Sequence, residues 1–144
     1  MEKKLFYQCN DCNSILLEMN GTVSQYCDHN LTLLTPNALK ASEAQHIPVL
    51  EFKKSNLHVT VGSLPHPMIP EHSILWIFVQ TRNGGLYVSL TPEDLPQADF
   101  LVHEIDVLGV YAYCDIHGLW MADHSALDYE ETVCAPEFPQ GCIG

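Results

Sequence analysis

The run Tyr113-Cys114-Asp115-Ile116-His117-Gly118-Leu119-Trp120, taken with three upstream histidines, constrains this chain more than any other feature. The histidines stand in Gln45-His46-Ile47-Pro48, in Leu64-Pro65-His66-Pro67-Met68 and in Pro70-Glu71-His72-Ser73. One thiolate and four imidazoles form a soft-to-borderline donor set that suits a redox metal such as iron. Prolines flank two of the four histidines, at Pro48 and at Pro65 and Pro67. Proline fixes its own φ and biases the preceding residue toward an extended shape, which stiffens the loops that aim the rings. Cys114 and His117 are separated by two residues, so one short turn can present both side chains to a single ion. A lone histidine is ordinarily a hydrogen-bonded structural residue, and His29, His58, His103 and His124, which lie outside the pattern, are read that way.

The bulk properties narrow the class. With 144 residues, of which 47% are hydrophobic, the chain has room for one ordinary domain, or a modest domain beside a small metal-stapled one. No segment approaches the roughly 18 consecutive apolar residues of a membrane span. Met1-Glu2-Lys3-Lys4 leads into only a short apolar stretch, so no signal peptide is expected and the expected location is cytoplasmic. In a reducing compartment Cys9, Cys12, Cys27 and Cys114 are better metal ligands than disulfide partners. The formal net charge of −12, with only 6 lysines and arginines, argues against nucleic acid as a partner. An anionic substrate would meet repulsion and would need a local positive site.

Along the chain, residues 1–35 read as a first unit that holds Cys9-x-x-Cys12, a turn at Asn20-Gly21, and Cys27. Extended pieces at Lys4–Gln8 and Ile15–Met19 can pair beside a metal knuckle, in a segment too small to bury a core alone. Residues 36–45 read as a loop with at most one helical turn. From His46 onward the signal is β. Leu57–Val61 alternates strictly, and Ile74–Val79 is a continuous apolar run that suits a strand buried on both faces. Arg82-Asn83-Gly84-Gly85 is a hairpin-type turn into Leu86–Leu90, Thr91–Pro96 is a loop, and Phe100–Ile105 and Val107–Tyr113 are two further strands. Short strands with turns and no long helix imply a β-sandwich over residues 36–121. Residues 122–144, without periodicity, read as a loosely docked C-terminal extension. Cys134 and Cys142 within it are open to a disulfide, to a metal, or to remaining reduced thiols, the default.

His46-x-Pro48, Pro65-His66-Pro67-Met68, Glu71-His72 and Cys114-x-x-His117-Gly118-Leu119-Trp120 together resemble the superoxide reductase and desulfoferrodoxin family, in order and in spacing. Phe6-Tyr7-Gln8-Cys9-Asn10-Asp11-Cys12 is similar to that family's small desulforedoxin-like module, so the resemblance spans residues 4–121. It implies an immunoglobulin-like β-sandwich behind a desulforedoxin-like knuckle. It further implies a mononuclear non-haem iron, cycling between Fe2+ and Fe3+, held by His46, His66, His72 and His117 in a square, with Cys114 axial and an open position opposite. The implied activity is reduction of superoxide to hydrogen peroxide, with a rubredoxin-like electron donor and a homodimeric assembly. Amides after Cys114, at Ile116 and His117, are placed to donate to the sulfur and tune the metal. Trp76, Leu119 and Trp120 read as core packing, with a secondary role for Trp120 in shielding the metal from water left open.

The chain departs from the family in two places. The family carries Glu-Lys directly before the first histidine, where this chain has Ala44-Gln45. The family lysine is implied to attract superoxide; Gln45 can donate only a neutral hydrogen bond, and Glu43 and Lys40 read as solvent-exposed loop charges. The family module also binds iron with four cysteines, whereas here Cys9, Cys12 and Cys27 remain and Asp28 stands in the fourth position. Asp28 or His29 can complete a second iron or zinc site, or the module is a metal-free remnant. Two other classes compete with the reductase. Cys114-x-x-His117-x-x-x-Met121 on a sandwich also resembles a cupredoxin ligand loop, and the missing Glu-Lys pair is compatible with a non-catalytic iron-binding or sensor protein.

Overall fold

The computed structural model describes residues 4–19, 30–39 and 41–125. Among them ten strands form three antiparallel sheets. The first sheet holds β1 (Leu5–Cys9), β2 (Ile15–Glu18) and β3 (Leu31–Leu34) in the order β2-β1-β3. A single helical turn, α1 (Glu43–His46), follows. The second sheet holds β4 (Pro48–Lys53) and β5 (Asn56–Val61), and the third holds β6 (Ile74–Thr81) and β7 (Gly84–Ser89). β8 (Gln97–Leu101) joins the second sheet as β4-β5-β8; β9 (Val107–Cys114) and β10 (Gly118–Asp123) complete the third as β10-β9-β6-β7. No described helix is long and apolar enough to cross a membrane.

The second and third sheets form a β-sandwich, the fold class expected from the sequence. Because side chains alternate across a strand, β6 and β9 each feed two cores. Ile77 and Val79 with Val110, Ala112 and Cys114 face Leu57, Val59 and Val61 of β5 in the inner core. Trp76 and Phe78 with Tyr111 and Tyr113 point the other way, into a second cluster that takes in Phe6 of β1 and Leu119 of β10. Double-sided burial accounts for the unbroken apolar run of β6. The N-terminal sheet, too small for its own core, thus covers the outer face of the third sheet. Phe6 stacks on Trp76 with centroids 5.3 Å apart, and the Lys4 amide donates to Gln80 Oε1 at 3.1 Å. Stacked aromatic pairs of this kind are worth ~1 kcal/mol beyond their buried area.

Several strand limits differ from those expected. β8 covers Gln97–Leu101, not Phe100–Ile105, because its partner β5 begins at Asn56, which pairs with Leu101. The chain then enters a 3-10 turn, Glu104–Asp106, that leaves Ile105 exposed. The β6–β7 connection is the two-residue turn Arg82-Asn83, since Thr81 already pairs with Gly84. β3, β4 and β10 were not expected as strands, and β10 carries the ladder through Ala122 and Asp123, two residues past residue 121. Cys27, Asp28, His29, Lys40, the Asn20-Gly21 turn, and residues 126–144 with Cys134 and Cys142 lie outside the described residues.

Candidate metal centre

Cys114 ends β9, and Asp115–His117 form the loop that turns the chain back into β10, where Gly118 pairs with Cys114. Gly118 takes φ +80, a left-handed conformation that glycine adopts without strain. The loop also holds the Cys114 sulfur: the His117 amide donates to Cys114 Sγ at 3.3 Å. It is also tied to the His72 segment, because the Asp115 amide donates to the Ser73 carbonyl at 3.2 Å and the Ser73 amide donates to Asp115 Oδ1 at 3.1 Å. His72 itself closes a tight turn in which Ile69 and His72 exchange amide–carbonyl bonds of 3.1 and 3.0 Å.

His46 is the last residue of α1, and the following Pro48 starts β4. The turn rests on the loop after β5. The Leu64 amide and the Ser63 hydroxyl both donate to the Ala44 carbonyl, at 2.9 and 3.2 Å. Gly62 makes that approach possible: a Cβ there would lie 2.6 Å from the Ala44 oxygen and 3.0 Å from the Ile47 oxygen. The same loop brings in His66, whose amide donates to the Val61 carbonyl at 2.9 Å.

The four rings stand at the corners of a near-square. Successive centroids His46–His66, His66–His72, His72–His117 and His117–His46 are 4.7, 4.6, 5.1 and 4.9 Å apart, and the His46–His72 diagonal is 6.4 Å. One donor atom each from His46, His72, Cys114 and His117 falls within 4.8 Å of the others. His66 borders this group, its Nε2 lying 3.2 Å from Nε2 of His46. Cys114 is fully buried, and His46 and His66 nearly so.

The protonation pattern suits this arrangement to a cation. His46 Nδ1 donates to the Ser42 carbonyl and His66 Nδ1 donates to the Pro67 carbonyl, each at 2.7 Å. A carbonyl only accepts, so in both neutral rings the proton sits on Nδ1 and Nε2 presents a lone pair. Two lone pairs at 3.2 Å repel unless a proton or a metal ion lies between them. Burial opposes the proton, lowering the His46 pKa and bringing that of His66 down to about 4. Nε2 of His72 is buried with no hydrogen-bond partner, a costly state that a metal ion relieves. Burial pushes the Cys114 thiol up, against the pull of the His117 and Ile116 amides, so a cation is needed to make it a thiolate. The residues therefore fit a metal ion.

These shifts have a pH consequence for the metal-free protein. His66 titrates below its ordinary value of 6.5 when folded, so the unfolded chain binds the extra proton. Its contribution to stability is complete above 6.5 and is lost as pH falls toward about 4. Thermal melts of chelator-treated protein should show a steeper loss across that window than His66→Asn, which has no proton to take up. Parallel pH profiles for the two proteins would refute the assignment.

Elsewhere the cysteine knuckle is only partly described. Cys9 closes β1, and Cys12 Sγ lies 3.2 Å from Ser14 Oγ. His58 and His124 pair with Asp99 and Glu104 at 2.9 and 3.2 Å near the surface, away from the square. Met121 packs against the outer aromatic cluster, on the opposite side of β10 from Trp120, so it is not presented to Cys114. Trp120 does more than fill the core. Its indole stacks on His46 at 4.7 Å and 25°, and its Nε1 donates to the His117 carbonyl at 3.0 Å. Its place three residues after His117 was the only sequence signal for this; Gly62 had none.

Comparison with known proteins identifies the family. The family model described as Desulfoferrodoxin matches residues 38–123. A desulfoferrodoxin of Clostridium acetobutylicum is 37% identical over 109 residues, covering 76% of this chain and 86% of the relative. A desulfoferrodoxin homolog of Methanothermobacter thermautotrophicus is 34% identical, covering 83% and 98%. The solved superoxide reductase of Treponema pallidum superposes with a TM-score of 0.68 at 29% identity, covering 82% of this chain and 98% of that one. By sequence and by fold, this chain belongs to the desulfoferrodoxin family, the superoxide reductase lineage of oxidoreductases.

Proposed function

We propose that this protein is a superoxide reductase, in which one electron and two protons convert superoxide to hydrogen peroxide. The observation that carries the reading is the near-square of four imidazoles with facing lone pairs beside the buried Cys114 sulfur. The ligands proposed are His46, His66, His72, His117 and Cys114, a set whose softness suits iron. These residues would hold iron, which would supply the electron. Anchoring of His46 and His66 through their Nδ1 protons holds both rings at a fixed tilt, so little reorganisation follows a change of charge. The His117 amide on Cys114 Sγ draws off electron density and moderates the donor strength of the thiolate.

The N-terminal sheet and the sandwich are proposed as two functional units, with Cys9, Cys12 and Cys27 as a second metal site for iron or zinc that Asp28 or His29 would complete. A rubredoxin-like donor and a homodimer complete the proposal. Iron and zinc counts per chain, with pulse radiolysis of the ferrous protein, test the main reading. Fast oxidation by superoxide with peroxide release is expected. Oxidation without peroxide would favour the sensor reading, and a copper-specific blue band would favour an electron-transfer protein. The position of Met121 counts against the latter.

Gln45 supplies a specific prediction. It is half-buried, directly before His46 on α1, and carries no charge to offset the formal −12 of the chain. Gln45→Lys should accelerate the reaction with superoxide, most at low ionic strength, since steering is a rate effect screened over ~10 Å at 0.1 M salt. Equal rates for the two proteins across a salt series would exclude an anionic substrate meeting this position.

A further inference from the structure

We propose that Asn37, in the linker between the N-terminal sheet and the sandwich, is a positioning residue for the metal centre and acts through Trp120. Asn37 lies three residues after the end of β3, far in sequence from any ligand except His46. It takes φ +61, a conformation that asparagine tolerates better than other side-chain-bearing residues. In that pose it behaves as a one-residue extra strand on the edge of β10. Its amide donates to the Leu119 carbonyl at 2.9 Å, its Oδ1 accepts from the Met121 amide at 2.8 Å, and its Nδ2 donates to the Met121 carbonyl at 3.1 Å.

These three bonds grip the residues on either side of Trp120. Strand alternation sends Leu119 and Met121 to the outer cluster and Trp120 inward, so fixing the two neighbours fixes the direction of the indole. The indole in turn touches two of the proposed ligands: its face lies on the His46 ring and its Nε1 holds the His117 carbonyl. Two residues further along the linker, Leu39 lies against Gly118 in the ligand hairpin; a Cβ at Gly118 would meet its Cδ1 at 3.2 Å. The linker thus braces the hairpin and the indole together. A single edge strand is easily frayed, and Asn37 occupies amide and carbonyl groups that would otherwise face solvent.

The proposal rests on the ligand set given above but not on the reaction. Two readouts test it. In the metal-free protein, the His46 ring protons should carry an upfield NMR shift from the stacked indole. Asn37→Gly, which keeps the left-handed backbone and removes the side-chain bonds, should shrink that shift. In protein loaded with ferrous iron or cobalt, metal release to an external chelator should accelerate on the order of 10–100-fold in Asn37→Gly and in Trp120→Phe, the usual range for a group that orients a ligand. In the double variant the two effects should be strongly non-additive, because they lie on one line of contacts. Thermal melts check that each variant is folded at the temperature of measurement. An unmoved His46 resonance in folded Asn37→Gly, or release effects that multiply, would overturn the proposal. A parent protein that binds neither metal would sink the ligand set instead, and the His46 resonance would still decide the role of Asn37.

Discussion

Cys114→Ser should abolish the thiolate-to-ferric charge-transfer band and most of the reaction with superoxide, while the fold persists. Cys114 is fully buried at the end of β9, within the inner core, and its sulfur is the only soft donor among the proposed ligands. Serine is close in size and still accepts the His117 amide, so the hairpin loses little; a neutral hydrogen bond of this kind is worth ~1 kcal/mol. What serine lacks is an accessible donor orbital and a low enough pKa to become an anion beside a metal ion. The four imidazoles remain, so metal binding should weaken rather than vanish. Optical titration with iron and pulse radiolysis of the variant check both halves. An unchanged band and rate would remove Cys114 from the ligand set.

Gly62→Ala should loosen the metal although it lies outside the proposed ligands. The new methyl group would meet the Ala44 oxygen at 2.6 Å and the Gln45 carbon and Ile47 oxygen at 3.0 Å, all of them backbone atoms. No side chain can rotate away, so α1 must move, and His46 moves with it. Overpacking of this kind costs ~1–3 kcal/mol. Displacing an orienting contact lowers metal affinity by roughly 10–100-fold. Gly84→Ala is the control, because a Cβ there meets nothing within 4 Å. Equilibrium competition for iron, with melts of the metal-free proteins, separates the two effects. Equal iron affinity in Gly62→Ala and the parent would mean that the loop after β5 does not set the position of His46.

The sequence by itself determined the family and the class of fold. The five candidate donor residues could be named because their types, order and flanking prolines are local features. β5 and β6 were legible because alternation and an unbroken apolar run are written into consecutive residues. Relations between distant segments were decided only by the tertiary structure. β3 is four residues with Leu33 half exposed, too short and too mixed to signal a strand; it exists because β1 offers it an edge. β8 ends at Leu101 because β5 begins at Asn56, a limit that its own residues do not encode. The N-terminal sheet found its core on the far side of β6 and β9, through Phe6 and Trp76, which no periodicity within residues 1–35 could specify. Gly62 looks like any loop glycine until the Ala44 carbonyl comes within reach of it. Trp120 and Met121 are neighbours in the chain, yet alternation across β10 sends one onto His46 and the other away from Cys114. Local pattern names the groups that can bind a metal ion. Only the packing of β9, α1 and two loops against one another brings their lone pairs face to face.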